Sequence, residues 1–574
     1  MLNQKIYCLL FFMMWPQLLV AVNFETIIFS HAHEELSEIV IQRQDWERQG
    51  ATSLSQALSL ANSVQVFSPS AEFPLPSVFI NGVSADQILV VLDGMPLNDL
   101  TAPGGAFDFS LVPLFLLEKI RVIPSGQSVR FGPGAVGAVI VLESRLTQRS
   151  QGKAQLSAPE NMRVSVSSPL SEKWTAGLES AWSRTKSLVQ DSSRAPESDQ
   201  SRAQSFYLKQ ESGAFQSWAL GTLQNLDLDS APGKEDLNFK SRNHWIQLGL
   251  SHQKNLENGS LQTQLGYSEQ KRKLTNLPDN YLLDQYLGEF ESEIAQLRSQ
   301  WLQQKNWGSL ELGLEIEQQK INFDEQYFPS SREVWQNQQS HQSFFVITEV
   351  LPKNPLQFGA RWSCGRKCDS YLSFQKRWAG STALSAELGG KEPTPYQRQS
   401  VSFGNLSLKS EKSQTLRADF KQRGTQAAFS FQKFQDLIQF LSTRYENTAR
   451  AEILALHFSQ ALALESWDLK VSYSNIDAKD TQTGLNLARR PRHNYGIEVG
   501  RGPWLLAWLK KSSFEDFAVS GGRVRVAGGE VLSVAYSKAP WSLAVQNPFR
   551  QRAPQSPGYR PAGTTVSLNF EHLY

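Results

Sequence analysis

The sequence predicts an all-β membrane protein: an antiparallel transmembrane β-barrel preceded by a compact α+β domain. Three observations carry that expectation. An export leader is followed by no apolar run approaching the ~20 residues a spanning helix requires. From about residue 146 the chain alternates apolar and polar residues in short segments separated by polar turns. Residues 25–145 have a different texture, with two helix signals set among strand signals.

The 574 residues exceed one ordinary soluble core, and 57 basic against 55 acidic residues leave a net charge of only +2. A nucleic-acid surface would carry a basic excess, so no nucleic-acid partner is expected. Aromatics at 11%, with 15 Trp, suit the interfacial girdles of a barrel and a large soluble protein alike. Composition leaves those two open.

At the N-terminus, Lys5 precedes the apolar string Ile6-Tyr7-Cys8-Leu9-Leu10-Phe11-Phe12, and Leu18-Leu19-Val20-Ala21 follows. This reads as a signal peptide over 1–21, cleaved at Ala21. Pro16-Gln17 interrupts the run and argues against an uncleaved anchor. Cys8 departs with the leader. Cys364 and Cys368 are expected to form a disulfide across a tight hairpin tip in an oxidising compartment. A metal site would need further ligands and none lie nearby, so neither metal nor cofactor is expected.

In the N-terminal unit, Ile39-Val40-Ile41 reads as a strand. Asp45 and the following residues to Gly50 read as a helical turn, and residues 53–58 as a second helix. Strand signals follow at 78–80, 88–92, 120–123 and 138–142, with Asp93-Gly94 as a turn. The longest apolar runs, 88–92 and 111–117, are the size of a strand.

Beyond residue 145, Leu310, Leu312, Leu314 and Ile316 alternate with Glu311, Gly313, Glu315 and Glu317. A strand with glutamates on one side meets water there and something apolar on the other. Leu261, Thr263, Leu265 and Tyr267 repeat the pattern after Asn258-Gly259, a hairpin turn signal. Soluble sandwiches also show period two. What favours a barrel is the lack of near-continuous apolar strands, and a length of about 430 residues that divides into strands of ~9–11 with turns and loops. The chain ends Val566-Ser567-Leu568-Asn569-Phe570-Glu571-His572-Leu573-Tyr574, a strand with an aromatic terminus, as outer-membrane barrels commonly finish.

Four stretches of the N-terminal unit carry a family resemblance. Val78-Phe79-Ile80-Asn81-Gly82, with Ile88-Leu89-Val90-Val91-Leu92-Asp93-Gly94-Met95-Pro96-Leu97-Asn98-Asp99, is similar to the first plug motif of TonB-dependent receptors. Glu118-Lys119-Ile120-Arg121-Val122-Ile123-Pro124-Ser125-Gly126 and Arg130-Phe131-Gly132-Pro133-Gly134-Ala135-Val136-Gly137-Ala138-Val139-Ile140 continue it in order. Upstream, Glu25-Thr26-Ile27-Ile28-Phe29 resembles the TonB box, an extended peptide that pairs with the energy-coupling protein by β-augmentation. Asn81 stands where the family usually has arginine, and Pro124-Ser125-Gly126 where Arg-Gly-Pro is usual. The resemblance therefore implies altered contacts between plug and wall.

The resemblance implies a 22-stranded barrel over 146–574, a plug over 38–145 inside its lumen, and TonB box and linker over 22–37. It implies an outer-membrane transporter, not an enzyme, in contact with lipid and lipopolysaccharide and driven by TonB. Gly404-Asn405-Leu406-Ser407-Leu408, Phe434-Gln435-Asp436-Leu437-Ile438 and Leu487-Ala488-Arg489-Arg490-Pro491 resemble the cobalamin (vitamin B12) receptor branch more than the larger siderophore receptors. On that footing Ser77, Ser84, Ala102 and Pro103 lie near the ligand, the serines as hydrogen-bonding groups. The alternatives are a siderophore or haem receptor of the same architecture, and an exported adhesin or structural β-protein. Gly132-Pro133-Gly134-Ala135-Val136-Gly137 satisfies a dinucleotide pattern but runs into β-like sequence, and Pro133 removes a donor that a pyrophosphate would use.

Overall fold

The computed structural model describes residues 38–67, 77–158, 160–186, 198–229, 236, 238–278, 285–328, 331–378, 381–400, 403–441, 444–517, 522–549, 557 and 563–573. The leader, residues 25–29 and most of the 67–77 loop lie outside them.

The N-terminal unit opens with β1 (Ile39–Gln42), α1 (Arg43–Arg48) and α2 (Leu54–Leu58). Trp46 of α1 is buried, and Ser53 caps α2 by accepting from the Gln56 amide. A two-stranded ribbon follows, β2 (Val64–Phe67) against β3 (Ser77–Ile80). The remaining strands are β4 (Ile88–Leu92), β5 (Met95–Pro96), β6 (Leu117–Ile123) and, after the short α3 (Ser128–Phe131), β7 (Ala138–Ser144). The main sheet runs β1-β6-β7-β4-β5, parallel between β4 and β7 and antiparallel elsewhere. Asp93 and Gly94 both take positive φ, 48° and 86°, which a tight β4–β5 turn needs. The Asp93 carboxylate also accepts from the Ser144 amide at 3.0 Å, tying that turn to the end of β7.

Residues 111–117, an apolar run of strand length, are not one continuous strand. They are divided between the 3-10 turns Phe109–Leu111 and Leu114–Leu116 and the first residue of β6, Leu117. Pro113 cannot donate to a ladder, and Asp108 caps the first turn through the Ser110 amide at 2.9 Å.

Among the described residues, twenty-two antiparallel strands close into a barrel, from Gln151–Ala158, which pairs with Thr565–Leu573, round through every sequential neighbour. The alternation is inverted relative to a soluble protein. On Gly308–Phe328, Glu311 and Glu315 are 7% and 8% exposed and face the lumen, whereas Leu314 is 48% exposed on the outside. In water such a surface would be costly at ~25 cal/mol per Å²; against lipid it costs nothing. Closure leaves no unpaired edge in the hydrocarbon.

One end of the barrel carries tight turns such as Gly213-Ala214 and Gly502-Pro503, together with both barrel termini; the other carries the longer loops. Trp307, Trp378, Trp467, Trp504 and Trp541 are exposed at the tight-turn end, as an interfacial girdle requires. That end faces the periplasm. Several strands are much longer than expected: Gln285–Lys305 and Gly308–Phe328 have 21 residues each, whereas Leu356–Cys364 has 9. The surplus carries hairpins beyond the lipid, where outward pairs become ionic, as in Lys271–Glu291 at 2.9 Å. The hairpin turn expected at Asn258-Gly259 falls on Glu257-Asn258, and Gly259 begins the next strand opposite Leu256.

The main apolar core joins both units. Tyr207, Trp218, Leu220 and Trp245 from the wall pack with Ile41, Trp46, Leu92 and Leu116 of the N-terminal unit. That unit is therefore a plug seated in the lumen.

Candidate functional site

The barrel wall grips the plug largely by donating to its backbone carbonyls. Gln247 donates to Leu92 O at 2.9 Å, Gln264 to Asp93 O at 2.9 Å and Gln270 to Leu97 O at 2.7 Å. Arg298 reaches Arg130 O at 2.8 Å, Arg417 reaches Pro124 O at 3.1 Å and Arg490 reaches Gly82 O at 2.9 Å. Each such bond contributes a net ~0.5–1.5 kcal/mol, so the plug is held by many small steps. Three ion pairs add to them: Lys153–Glu47 at 3.0 Å, Arg130–Glu311 at 3.3 Å and Arg272–Asp99 at 3.1 Å. At Asn81 the contact is uncharged: its Nδ2 donates to Pro124 O at 3.0 Å and its Oδ1 meets His457 Nε2 on the wall.

On the outward side the plug presents the 98–107 loop. Asn98 fastens it by accepting from the Val90 amide and donating to Ile88 O and Gly105 O, each at 2.9 Å. Arg272 clasps Asp99 and donates to Thr101 O at 3.1 Å while stacking over Phe290, 4.8 Å from the ring centre. Above it the outer loop carrying the short helix Pro395–Gln399 folds inward. Tyr396 packs against Phe290 and Phe323, with ring centres 6.4 and 6.2 Å away. Lys391, at the foot of that loop, donates to Asp86 O and Gly104 O of the plug.

Between these elements lies a funnel of about 1470 Å³, counting the part open to solvent. Plug residues Asp86, Asn98 and Gly105 form one side, and wall residues Gln296, Glu317 and His341 another. Most of its exposed lining is apolar, from residues such as Leu89, Leu100, Phe131 and Ile294, with amides, hydroxyls and carboxylates set among them. Burial raises the pKa of Glu392 at the rim, and the charge of Asp369 adds to the rise. On the plug, burial likewise raises Asp108, opposed by hydrogen bonds from Ser110. Cys364 and Cys368 are bonded at the tip of the adjoining hairpin.

None of the four residues expected near a ligand, Ser77, Ser84, Ala102 and Pro103, lines this funnel. Ser77 starts β3 and is half-buried. Ser84 donates to Gln87 Oε1, Ala102 is buried, and Pro103 opens the 3-10 turn Pro103–Gly105. The lining includes their neighbours Asp86 and Gly105. The wall-side groups were not singled out as ligand contacts, although Glu317 belongs to the alternating strand read from the sequence; its facing side is the lumen. The glycine string 132–137 forms the turn from α3 into β7, not the approach to a long helix.

Residues 34–139 match the family model of the TonB-dependent receptor plug domain. That plug match, together with the closed 22-strand barrel, gives the chain the architecture of the TonB-dependent receptors. Over 496 residues it is 23% identical to the vitamin B12 transporter BtuB of Vibrio cholerae serotype O1, covering 79% of this chain and 77% of that one. The ferric enterobactin receptor PfeA of Pseudomonas aeruginosa superposes with a TM-score of 0.75 at 15% identity, over 94% of this chain and 98% of that one. The copper transporter OprC gives 0.74 at 13%, over 95% and 99%. The family consists of receptors and transporters rather than enzymes, and they engage TonB and small-molecule ligands. The chain is an outer-membrane β-barrel protein.

Proposed function

We propose that the receptor imports cobalamin or a related corrinoid across the outer membrane, with energy delivered through TonB. The observation that carries the reading is a lumen filled by a plug whose fastenings are individually weak, with a funnel between its outward loop and the wall. A 22-strand lumen without its stopper would leak, so passage requires the plug to move. In this reading ligand settles on the apical loops, with Ser77 and Ser84 hydrogen-bonding it and Ala102 and Pro103 shaping the surface. The settled plug exposes Glu25-Thr26-Ile27-Ile28-Phe29 to TonB, whose pull breaks the wall-to-carbonyl bonds one after another. The domain bounds proposed are leader 1–21, coupling segment and linker 22–37, plug 38–145 and barrel 146–574. The corrinoid choice is supported by the extent of the match to the vitamin B12 transporter.

The test is uptake of radiolabelled cyanocobalamin by a deletion strain carrying the chain with or without residues 25–29. The full chain should restore uptake; the shortened one should bind label at the surface and import none. Uptake unaffected by loss of the whole chain would remove the corrinoid assignment and return the siderophore and haem alternatives. Unchanged behaviour on losing residues 25–29 would favour an adhesin.

A further inference from the structure

We propose that the funnel is a charge filter: it accepts a neutral or cationic cargo bearing hydrogen-bond donors and rejects anionic ferric chelates. The proposal rests on the import reading and names the selecting groups as Asp86, Glu317, Asp369 and Glu392.

The lining holds five carboxylates, Asp86, Glu315, Glu317, Asp369 and Glu392, against two cations, Arg298 and Lys391. Both cations are already engaged. Arg298 lies 3.9 Å from Glu315 and donates to Arg130 O at 2.8 Å. The Lys391 ammonium is turned onto the plug carbonyls of Asp86 and Gly104. Arg361, fully buried between the wall and the plug, is committed to Glu315 at 2.8 Å. Glu317, by contrast, has no cation within ion-pair distance among the described residues: Gln319 donates to it at 2.6 Å and Gln296 at 3.3 Å, and the charge of Arg361 reaches it only from farther off. Two further cations, Arg366 on the disulfide tip and Arg398 on the outer helix, act on Glu392 at the rim.

A second observation is independent of charge. Gln296 is 7% exposed, and because its Nε2 is spent on Glu317 its Oε1 is left without a hydrogen-bond partner. A buried acceptor in that condition is costly until a donor reaches it. The wall thus offers acceptors and negative charge together. A primary-amide periphery satisfies such a wall. A ferric tris-catecholate, a trianion whose periphery is acceptor-rich, meets repulsion that low-dielectric walls intensify.

The experiment uses the purified full-length receptor in detergent. It compares two ferric probes of similar shape, a tris-catecholate of charge −3 and a neutral tris-hydroxamate, with cyanocobalamin measured alongside. In Glu317→Gln/Asp369→Asn/Glu392→Gln the ratio of trianion to neutral affinity should rise at least tenfold over the parent, and the parent's discrimination should shrink as salt screens it. Glu392→Gln alone, outside the barrel strands, should move the ratio in the same direction should the triple variant fail to assemble. An unchanged or lowered ratio in both variants overturns the filter. Absence of cyanocobalamin binding by a parent that still discriminates by charge would remove the corrinoid reading and leave the filter standing.

Discussion

Removing Glu38 should unfasten the strand through which force enters the plug. Glu38 lies immediately before β1, the edge strand of the plug sheet, and is 4% exposed. It takes both the Nε and Nη2 of Arg121, the latter at 3.0 Å, while Arg121 itself is 8% exposed on the neighbouring β6. Breaking a buried pair by deleting one partner costs about 3–5 kcal/mol, because the other charge is stranded. Glu143 stands 3.7 Å from Arg121 and relieves part of that, placing Glu38→Ala near the lower end. At ~1.4 kcal/mol per decade, about 3 kcal/mol raises the opening of β1 roughly a hundredfold. Hydrogen exchange read by mass spectrometry reports it directly at the amides of Ile39–Gln42, which pair with residues 119–122. Glu38→Ala/Arg121→Met should recover part of the loss, since no charge is then stranded. Protection within threefold of the parent in Glu38→Ala would refute the reasoning.

Two further outcomes follow from the plug's seat. A Cβ at Gly266 of the wall would lie 1.9 Å from Met95 Sδ in the plug; Gly266→Val should cost about 1–3 kcal/mol by overpacking, lowering the melting temperature in detergent and sensitising cells to large antibiotics that the closed plug excludes. For Glu47, burial alone would raise the pKa, but Lys153 and Arg43 outweigh it and hold the carboxyl below its ordinary 4.5. A depressed folded value contributes stability that is present above 4.5 and is lost as pH falls through the lowered value. Plug docking measured by limited proteolysis should weaken in that acid range, and Glu47→Gln should flatten the dependence; an equally steep acid transition in that variant would count against the Lys153 contact.

The architecture was largely legible because the bilayer and the ladder impose simple periods. The string from Leu310 to Glu317 showed its two faces at once, and Asp93-Gly94 declared its turn by chemistry. What was less legible was local or collective. Residues 111–117 look strand-like in composition, but Pro113 and the Asp108 cap divide them. The lengths of Gln285–Lys305 and Gly308–Phe328 were missed because the bilayer sets only a minimum; hairpins that rise above lipid keep pairing while their outer faces turn ionic. The funnel was least legible. Asp86, Gln296, Glu317 and Glu392 are far apart in sequence, and a lumen-facing glutamate has the same pattern whether it lines a binding surface or meets water. Asn81 illustrates the converse: its departure from the family motif was visible, whereas its partner, His457, depends on closure of the ring.

The central claim is that residues 38–145 occupy and close the lumen of a lipid-facing barrel. Conductance across a planar bilayer tests it most directly, comparing the full mature chain with one lacking the plug residues. The account predicts a silent full chain and large, persistent conductance steps from the plugless barrel. A full chain that conducts openly at rest, or a plugless barrel that inserts and stays silent, would contradict it.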